Sequence, residues 1–245
     1  LVCVFAVMVI GACSGVGVIR GIIASAPTID DIVATPTGFL STVLDANGNQ
    51  TATLVASGSN RRAVTIDEIP KNLQHAFVAI EDERFYEHNG IDVTGIIRAG
   101  VKGVASGFHF SEGASTITQQ LLKNTVFTSW TSESSMADKF ERKFQEQYLA
   151  LQLEKVVDKD WILENYLNAI NLGQNTLGVG VASERYFGKD VSDLTLSECA
   201  VLAAITQNPS KYNPITNPQE NAKRRMKVLN NMKDQGYISQ EEYDE

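Results

Sequence analysis

Met136-Ala-Asp-Lys-Phe-Glu-Arg-Lys-Phe-Gln-Glu-Gln-Tyr-Leu-Ala-Leu-Gln-Leu-Glu-Lys-Val-Val157 is the stretch from which the fold can be read. At about 100° per residue, Phe140, Phe144, Tyr148 and Leu151 fall on one stripe of a helix. Arg142, Glu146, Leu149, Leu153 and Val157 fall on a second stripe, roughly opposite. A helix that is apolar on two sides belongs inside a domain. Glu146 sits in the middle of the second apolar stripe, with Arg142 one turn before it. A buried carboxylate needs a partner or a chemical task. A structural Arg142–Glu146 pair and a functional Glu146 both meet that need.

The same helical pattern extends on either side. Thr65 and Glu68 fit a capping box and Pro70 suits an early helical position. Leu73, Phe77 and Ile80 share a face up to Glu81, and Gly90 is expected to stop that helix. Helices are also expected over 115–124, 161–170 and 196–207. Polar residues 130–135 read as a loop, and a last helix pair runs from Gln219 to the end. Pro209 and Pro214 break the chain. Residues 93–112 are apolar and glycine-rich, which suggests a lobe that is mobile or touches a membrane. The expectation is one mainly α domain over 65–245.

Composition narrows the function. The chain has 245 residues and a formal net charge of −8. That acidic balance argues against nucleic-acid binding, which needs a basic face. Three cysteines cannot build a disulfide scaffold. Mean hydropathy is −0.10, but the average hides a lopsided N-terminus. Leu1 to Ile19 carries no charge. At about 1.5 Å per residue it spans roughly 28 Å, close to a bilayer's hydrocarbon core. Residues 1–26 are therefore expected to form a transmembrane anchor. A cleaved signal ending at Ala24-Ser25-Ala26 and a lipoprotein box at Ile10-Gly11-Ala12-Cys13 are the alternatives. Residues 27–64 are rich in Thr, Ser, Gly, Asn and Asp. With Asn47-Gly48 between two short apolar runs, they read as a stalk carrying one hairpin. The sequence begins at Leu1 rather than Met, which suggests a trimmed leader.

Two stretches carry candidate chemistry. Glu81-Asp-Glu-Arg-Phe-Tyr-Glu-His-Asn-Gly90 crowds ionisable groups directly after an apolar helix face. Glu81 lies four residues after Phe77 and so points near the buried side. Desolvation there favours the protonated carboxyl and suits a general base. A solvated helix end with charge pairs fits the same residues. Gly113-Ala-Ser-Thr-Ile-Thr-Gln-Gln-Leu-Leu-Lys-Asn124 gathers hydroxyls and amides at a helix start, where free N–H groups favour an anion such as phosphate. Lys123 lies one turn after Gln119. An N-capped surface helix is the alternative. No Ser-x-x-Lys, Gly-x-Ser-x-Gly or Walker motif is present, and no His/Cys spacing supports zinc.

Five stretches together resemble the peptidoglycan glycosyltransferases, found as the N-terminal module of class A penicillin-binding proteins and as monofunctional enzymes. They are Glu81–Gly90, Gly113–Asn124, Arg142–Glu146, Ile162–Asn168 through Tyr186–Lys189, and Leu196–Ala200 through Pro209–Pro214, in that order. The resemblance covers roughly residues 65–240 plus the anchor.

The resemblance implies a lysozyme-like α-helical lobe with a small membrane-facing jaw over roughly 93–135. It implies polymerisation of lipid II into β-1,4-linked glycan outside the plasma membrane, by a single-pass protein whose catalytic domain is extracellular. The growing chain is the donor and loses undecaprenyl pyrophosphate; lipid II is the acceptor. By motif position Glu81 is the general base and Glu146 acts at the donor pyrophosphate. Ser115, Thr116, Gln119, Gln120, Lys123, Arg142 and Lys143 supply charge and hydrogen bonds to substrate. Asp82, Arg84 and His88 are supporting residues. Asp82 and Glu146 are the expected contacts of a Mg2+ or Mn2+ ion bound largely through the substrate's phosphates. Expected partners are lipid II, the growing glycan, membrane lipid and a transpeptidase domain in a longer parent chain. Asn171 stands where the family often carries an aromatic, and Thr206-Gln207-Asn208 varies the usual turn before Pro209. A lytic enzyme on the same glycan is the first rival, but it has no use for Lys123, the Gln119-Gln120 pair or Arg142-Lys143. A non-catalytic scaffold is the second, and it would tolerate loss of Glu81 or Glu146.

Overall fold

Thr116, Ser135, Asp158, Thr195 and Ser239 each turn a side-chain oxygen back onto a backbone N–H, and a helix starts after each one. Thr195 with Glu198, and Ser239 with Glu242, form complete capping boxes. The computed structural model describes residues 17–29, 34–105 and 115–245, without the side chains of residues 104 and 105. Residues 1–16, which hold most of the expected anchor, lie outside the described residues. Residues 17–24 are helical, and among the described residues no helix is long and apolar enough to cross a membrane.

The described elements run as follows. A hairpin of β1 (Ser41–Leu44) and β2 (Gln50–Leu54) comes first. Its Asn-Gly turn is closed by Asp45, which accepts from the Asn47 and Asn49 N–H groups at 2.8 Å. The helices are α1 (Lys71–Glu81), α2 (Val93–Ala105), α3 (Ile117–Thr125), α4 (Met136–Leu153), α5 (Lys159–Ala169), α6 (Val179–Phe187), α7 (Leu196–Ile205), α8 (Pro218–Asp234) and α9 (Gln240–Asp244). The chain is mainly α, as the periodicity predicts.

α7 organises the core. Cys199 to Ile205 are all buried, the signature of a central helix. α1 and α8 pack on it, while α3 packs on α5 and α4. Phe77 of α1 meets Tyr166 of α5 edge to face at 6.2 Å, joining the two groups. Leu121, Leu122, Leu149, Ile162 and Leu163 fill the space between. Each such side chain contributes about 1.5–3 kcal/mol of burial.

Several boundaries differ from the sequence expectation. The Thr65–Glu68 pair forms, with the Thr65 N–H donating at 2.6 Å, but it closes a turn before the helix. α1 starts at Lys71 behind Pro70. It ends at Glu81, well before Gly90, because Asp82 leaves helical geometry at φ −156°. Residues 93–105 form a regular helix despite their glycines. α4 is buried only on its Glu146 side. Phe140 and Leu151 of the other stripe are exposed. α6 has no counterpart in the sequence expectation; it starts behind Gly178 with no side-chain cap to announce it.

Residues 59–64, read from sequence as the end of a stalk, are docked on α5. Arg61 is buried and donates to Asn168 O at 2.7 Å and to Thr37 O. The Val64 N–H donates to Asn168 Oδ1 at 3.0 Å.

Gly90 is a positional requirement. Its φ is +92°, and a Cβ there would lie 2.6 Å from the Ala150 carbonyl on α4. Gly90→Ala is therefore expected to cost roughly 3 kcal/mol or more, from strain plus overpacking, measured by urea unfolding.

Candidate active site

Glu81 and Asp82 are adjacent but serve opposite ends of the site. Asp82 turns inward, with only 2% of its side chain exposed. It accepts the Ile117 N–H at 2.9 Å, at the first turn of α3. It also faces His88 Nε2 at 3.0 Å. His88 Nδ1 accepts the Gly90 N–H at 3.2 Å. That backbone donor fixes the tautomer: Nε2 carries the proton and donates to Asp82. Thr116 caps α3 and donates to Gly90 O at 2.8 Å. Gln119 points the same way, 3.4 Å from Gly90 O.

These contacts redefine the helix start that the sequence offers as an anion site. The anion at the N-terminus of α3 is the protein's own Asp82. Thr116 and Gln119 are buried and committed to internal bonds, so they brace the site from behind.

Glu81 stays at the surface of a cleft. Gln120 Nε2 donates to its Oε2 at 2.9 Å. The Thr206 hydroxyl donates to its Oε1. A guanidinium nitrogen of Arg224 lies 3.9 Å from the same oxygen. Tyr166 is fully buried and its OH lies 3.4 Å from Gln120 Oε1. Burial, reinforced by the charges of Glu81 and Asp82, pushes that phenol well above its ordinary pKa. It therefore remains a donor and orients the Gln120 amide. The cleft holds about 460 Å³ and is lined by Glu81, Glu83, Ser115 and Gln120, by Arg224, Lys227, Asn231 and Asp234 of α8, and by Arg98 and Lys102 of α2.

A second cluster lies along α3 and α4. Glu146 is fully buried. It accepts from Arg142 Nη1 and, at 2.7 Å, from Lys143 Nζ. Arg142 Nε also reaches both oxygens of Glu133, at 2.8 and 3.0 Å. Lys143 Nζ donates to Ser115 Oγ at 2.9 Å, and Ser115 also lines the cleft. Lys123 is half-buried with its Nζ 4.6 Å from the centre of the Trp130 ring. Burial lowers its pKa, helped by Lys143 and Arg142 and opposed by Glu146 and Glu81. A partly desolvated ammonium between two other cations favours the arrival of an anion.

The structure thus gathers Glu81, Gln120 and Ser115 at the cleft, and Lys123, Arg142, Lys143 and Glu146 in a cationic cluster beside it. Arg84 is held away, on Asp92 at 2.5 Å. Both expected metal contacts already have partners within the protein. Asp82 is taken up by His88 and the Ile117 N–H, and Glu146 by two cations. No group of three His, Cys, Asp or Glu suited to a metal occurs among the described residues.

Thr206, Arg224 and Glu133 were not singled out by sequence reasoning for this site. A signal for the α8 wall existed: Arg224, Lys227, Asn231 and Asp234 recur at helical spacing on one face.

The sequence matches the family described as Transglycosylase over residues 47–233. It is 44% identical over 235 residues to penicillin-binding protein 1A of Clostridium perfringens, covering 93% of this chain and 33% of that protein. It is 47% identical over 203 residues to penicillin-binding protein 1F of Bacillus subtilis, covering 82% of this chain and 27% of that protein. A crystal structure of penicillin-binding protein 1A from Haemophilus influenzae aligns at 25% identity and a TM-score of 0.47, over 85% of this chain and 20% of that one. The chain spans between a quarter and a third of the length of the two curated relatives.

Removing Arg142 strips Glu133 of its partner and leaves Glu146 with Lys143 alone. Arg142→Ala is expected to lose about 2–4 kcal/mol in urea unfolding. Glu146→Gln should lose markedly less, since Arg142 keeps Glu133.

Proposed function

This chain belongs to the transglycosylase family, the peptidoglycan glycosyltransferases, and from that premise we propose that it polymerises lipid II into β-1,4-linked glycan at the outer face of the plasma membrane. The observation that carries the proposal is the Glu81 carboxylate at the wall of a polar cleft, with the Lys123, Arg142 and Lys143 cluster beside it.

In the proposed reaction Glu81 removes the proton from the 4-hydroxyl of the acceptor lipid II. The acceptor oxygen bonds to C1 of the donor sugar as the C1–phosphate oxygen bond breaks. The electron pair leaves with undecaprenyl pyrophosphate. One in-line displacement inverts an α-phosphosugar to a β-glycoside, so the base and the leaving group occupy opposite sides of the reacting carbon. Pyrophosphate departs as a stabilised anion, so cations matter more than a general acid. Lys123, Lys143 and Arg142 would supply that charge, with Ser115 and Gln120 as hydrogen-bonding groups. Glu146 is proposed to hold Arg142 and Lys143 in place. A Mg2+ or Mn2+ ion is proposed only as a companion of the substrate's phosphates. A lytic enzyme on the finished glycan has no pyrophosphate to bind and leaves this cluster unexplained.

The helical lobe is proposed to correspond to a lysozyme-like lobe, with α2 in a jaw that meets the membrane. Val93, Ile97 and Val101 recur every fourth residue of α2 and are 61%, 62% and 64% exposed. Residues 1–26 are proposed as a single-pass anchor, residues 27–64 as its link to the catalytic domain, and a transpeptidase domain as a partner in a longer parent chain.

Incubation of the detergent-solubilised chain with labelled lipid II tests the activity. A ladder of lysozyme-sensitive polymer is expected, and Glu81→Gln should abolish it with the thermal midpoint unchanged; preformed glycan shortened instead would make the chain a lytic enzyme. For the jaw, Ile97→Asp is expected to lower co-sedimentation with anionic liposomes severalfold, at unchanged thermal stability. Equal binding by both proteins would remove α2 from the membrane.

A further inference from the structure

Thr206 follows the last residue of α7, and its hydroxyl has two acceptors. One is Glu81 Oε1. The other is Ala203 O, at 3.0 Å, a carbonyl in the last turn of α7 that has no helical partner of its own. A hydroxyl carries one proton and two lone pairs, so it serves one of these acceptors at a time.

We propose that Thr206 is a positioning residue for Glu81, its hydroxyl turning between Glu81 and Ala203 to match both the charged and the protonated carboxyl; this rests on the general-base role proposed above. While Glu81 is a carboxylate, the Thr206 proton lies on Oε1 in a charge-assisted bond. Once Glu81 has taken the acceptor's proton, the Thr206 proton turns to Ala203 O. Its oxygen then accepts from the carboxyl. The Oε1 side of Glu81 keeps a partner in both states, and the side chain is not released after proton transfer.

No other neighbour of the carboxyl can do this. Gln120 Nε2 only donates, at 2.9 Å to Oε2. Its amide cannot usefully flip, because its oxygen faces the Tyr166 hydroxyl. Arg224 only donates, and its Nε is committed to Ala204 O at 3.1 Å. The charged and titratable groups facing Glu81 are Arg224 of α8, Tyr166 of α5, Lys123 of α3 and the adjacent Asp82. Glu83, Arg98, Lys102, Lys227 and Asp234 line the same cleft. All of them persist in a Thr206 variant, so a change in Glu81 titration there belongs to the hydroxyl.

The test uses the detergent-solubilised chain with 13C-labelled glutamate carboxyls, titrated by NMR, with Glu81→Gln identifying the Glu81 signal. Thr206→Val removes the donor at nearly constant shape; Thr206→Ala serves if the valine variant does not fold. Losing a donor to the charged form raises the midpoint. The Glu81 midpoint is expected to rise by about 0.5–1 pH unit in the valine variant and to return in Thr206→Ser. In polymerisation of lipid II, kcat of the valine variant should fall about 3–10-fold below the shifted midpoint, with KM within about twofold of the parent and the serine variant restored. An unchanged midpoint, or a serine variant that behaves like valine, overturns the proposal. A shifted midpoint in a parent chain that makes no polymer keeps the Thr206 contact and removes the polymerase reading instead.

Discussion

The site depends on a carboxylate placed where a ligand would otherwise bind. Asp82 occupies the N-terminus of α3, where unpaired N–H groups and the helix dipole favour negative charge. Its second partner is His88, whose Nδ1 accepts the Gly90 N–H. Gly90 in turn can exist only as glycine, pressed against the backbone of α4. One short run of sequence therefore ties the end of α1 to the starts of α2 and α3 and to the last turn of α4. Because Asp82 is pulled inward, α1 stops and Glu81 is left as its last residue, facing the cleft. Gln120 of α3 meets it there because the same clamp fixes α3.

The second constraint is electrostatic. In the proposed reaction a base that must accept a proton should not be fully neutralised by fixed cations, whereas a departing pyrophosphate needs them. The residues proposed for these two tasks lie on different turns of α3. Near Glu81 the contacts are mostly neutral donors, Gln120 and Thr206, with Arg224 at the longer distance of 3.9 Å. One turn further on, Lys123 joins Arg142 and Lys143, and Glu146 holds two of these three. Glu146 lies wholly out of water, so in this structure it acts as the internal counter-ion that keeps like charges together at tolerable cost.

Much of this was legible in the sequence, for identifiable reasons. Helical periodicity found α1, α4, α5, α7 and α8, and the position of Glu146 in an apolar stripe showed that it is buried. The clustering of Glu81 to Gly90 marked the site. What periodicity could not supply was the destination of each polar group. Thr116 and Gln119 look like ligands by composition, yet both turn inward, because a backbone carbonyl 26 and 29 residues away lies within reach. α6 was missed because its cap is glycine rather than a hydroxyl residue. Thr206 and Arg224 lie 125 and 143 residues beyond Glu81, and only the packing of α7 and α8 on α1 brings them to it.

The exposed face of α2 then has a physical place beside this chemistry. A helix with exposed valine and isoleucine on one side and with Arg98 and Lys102 lining the cleft is suited to lie at a membrane surface. A lipid-linked substrate keeps its tail in the bilayer and its pyrophosphate at the headgroup level. An enzyme acting on it needs its cations at that depth and its base a sugar's length above. In the proposed orientation the Lys123, Arg142 and Lys143 cluster meets the phosphates and Glu81, at the cleft wall, faces the acceptor sugar. The acidic charge of the whole chain does not oppose this, because salt screens interactions between exposed charges beyond about 8 Å.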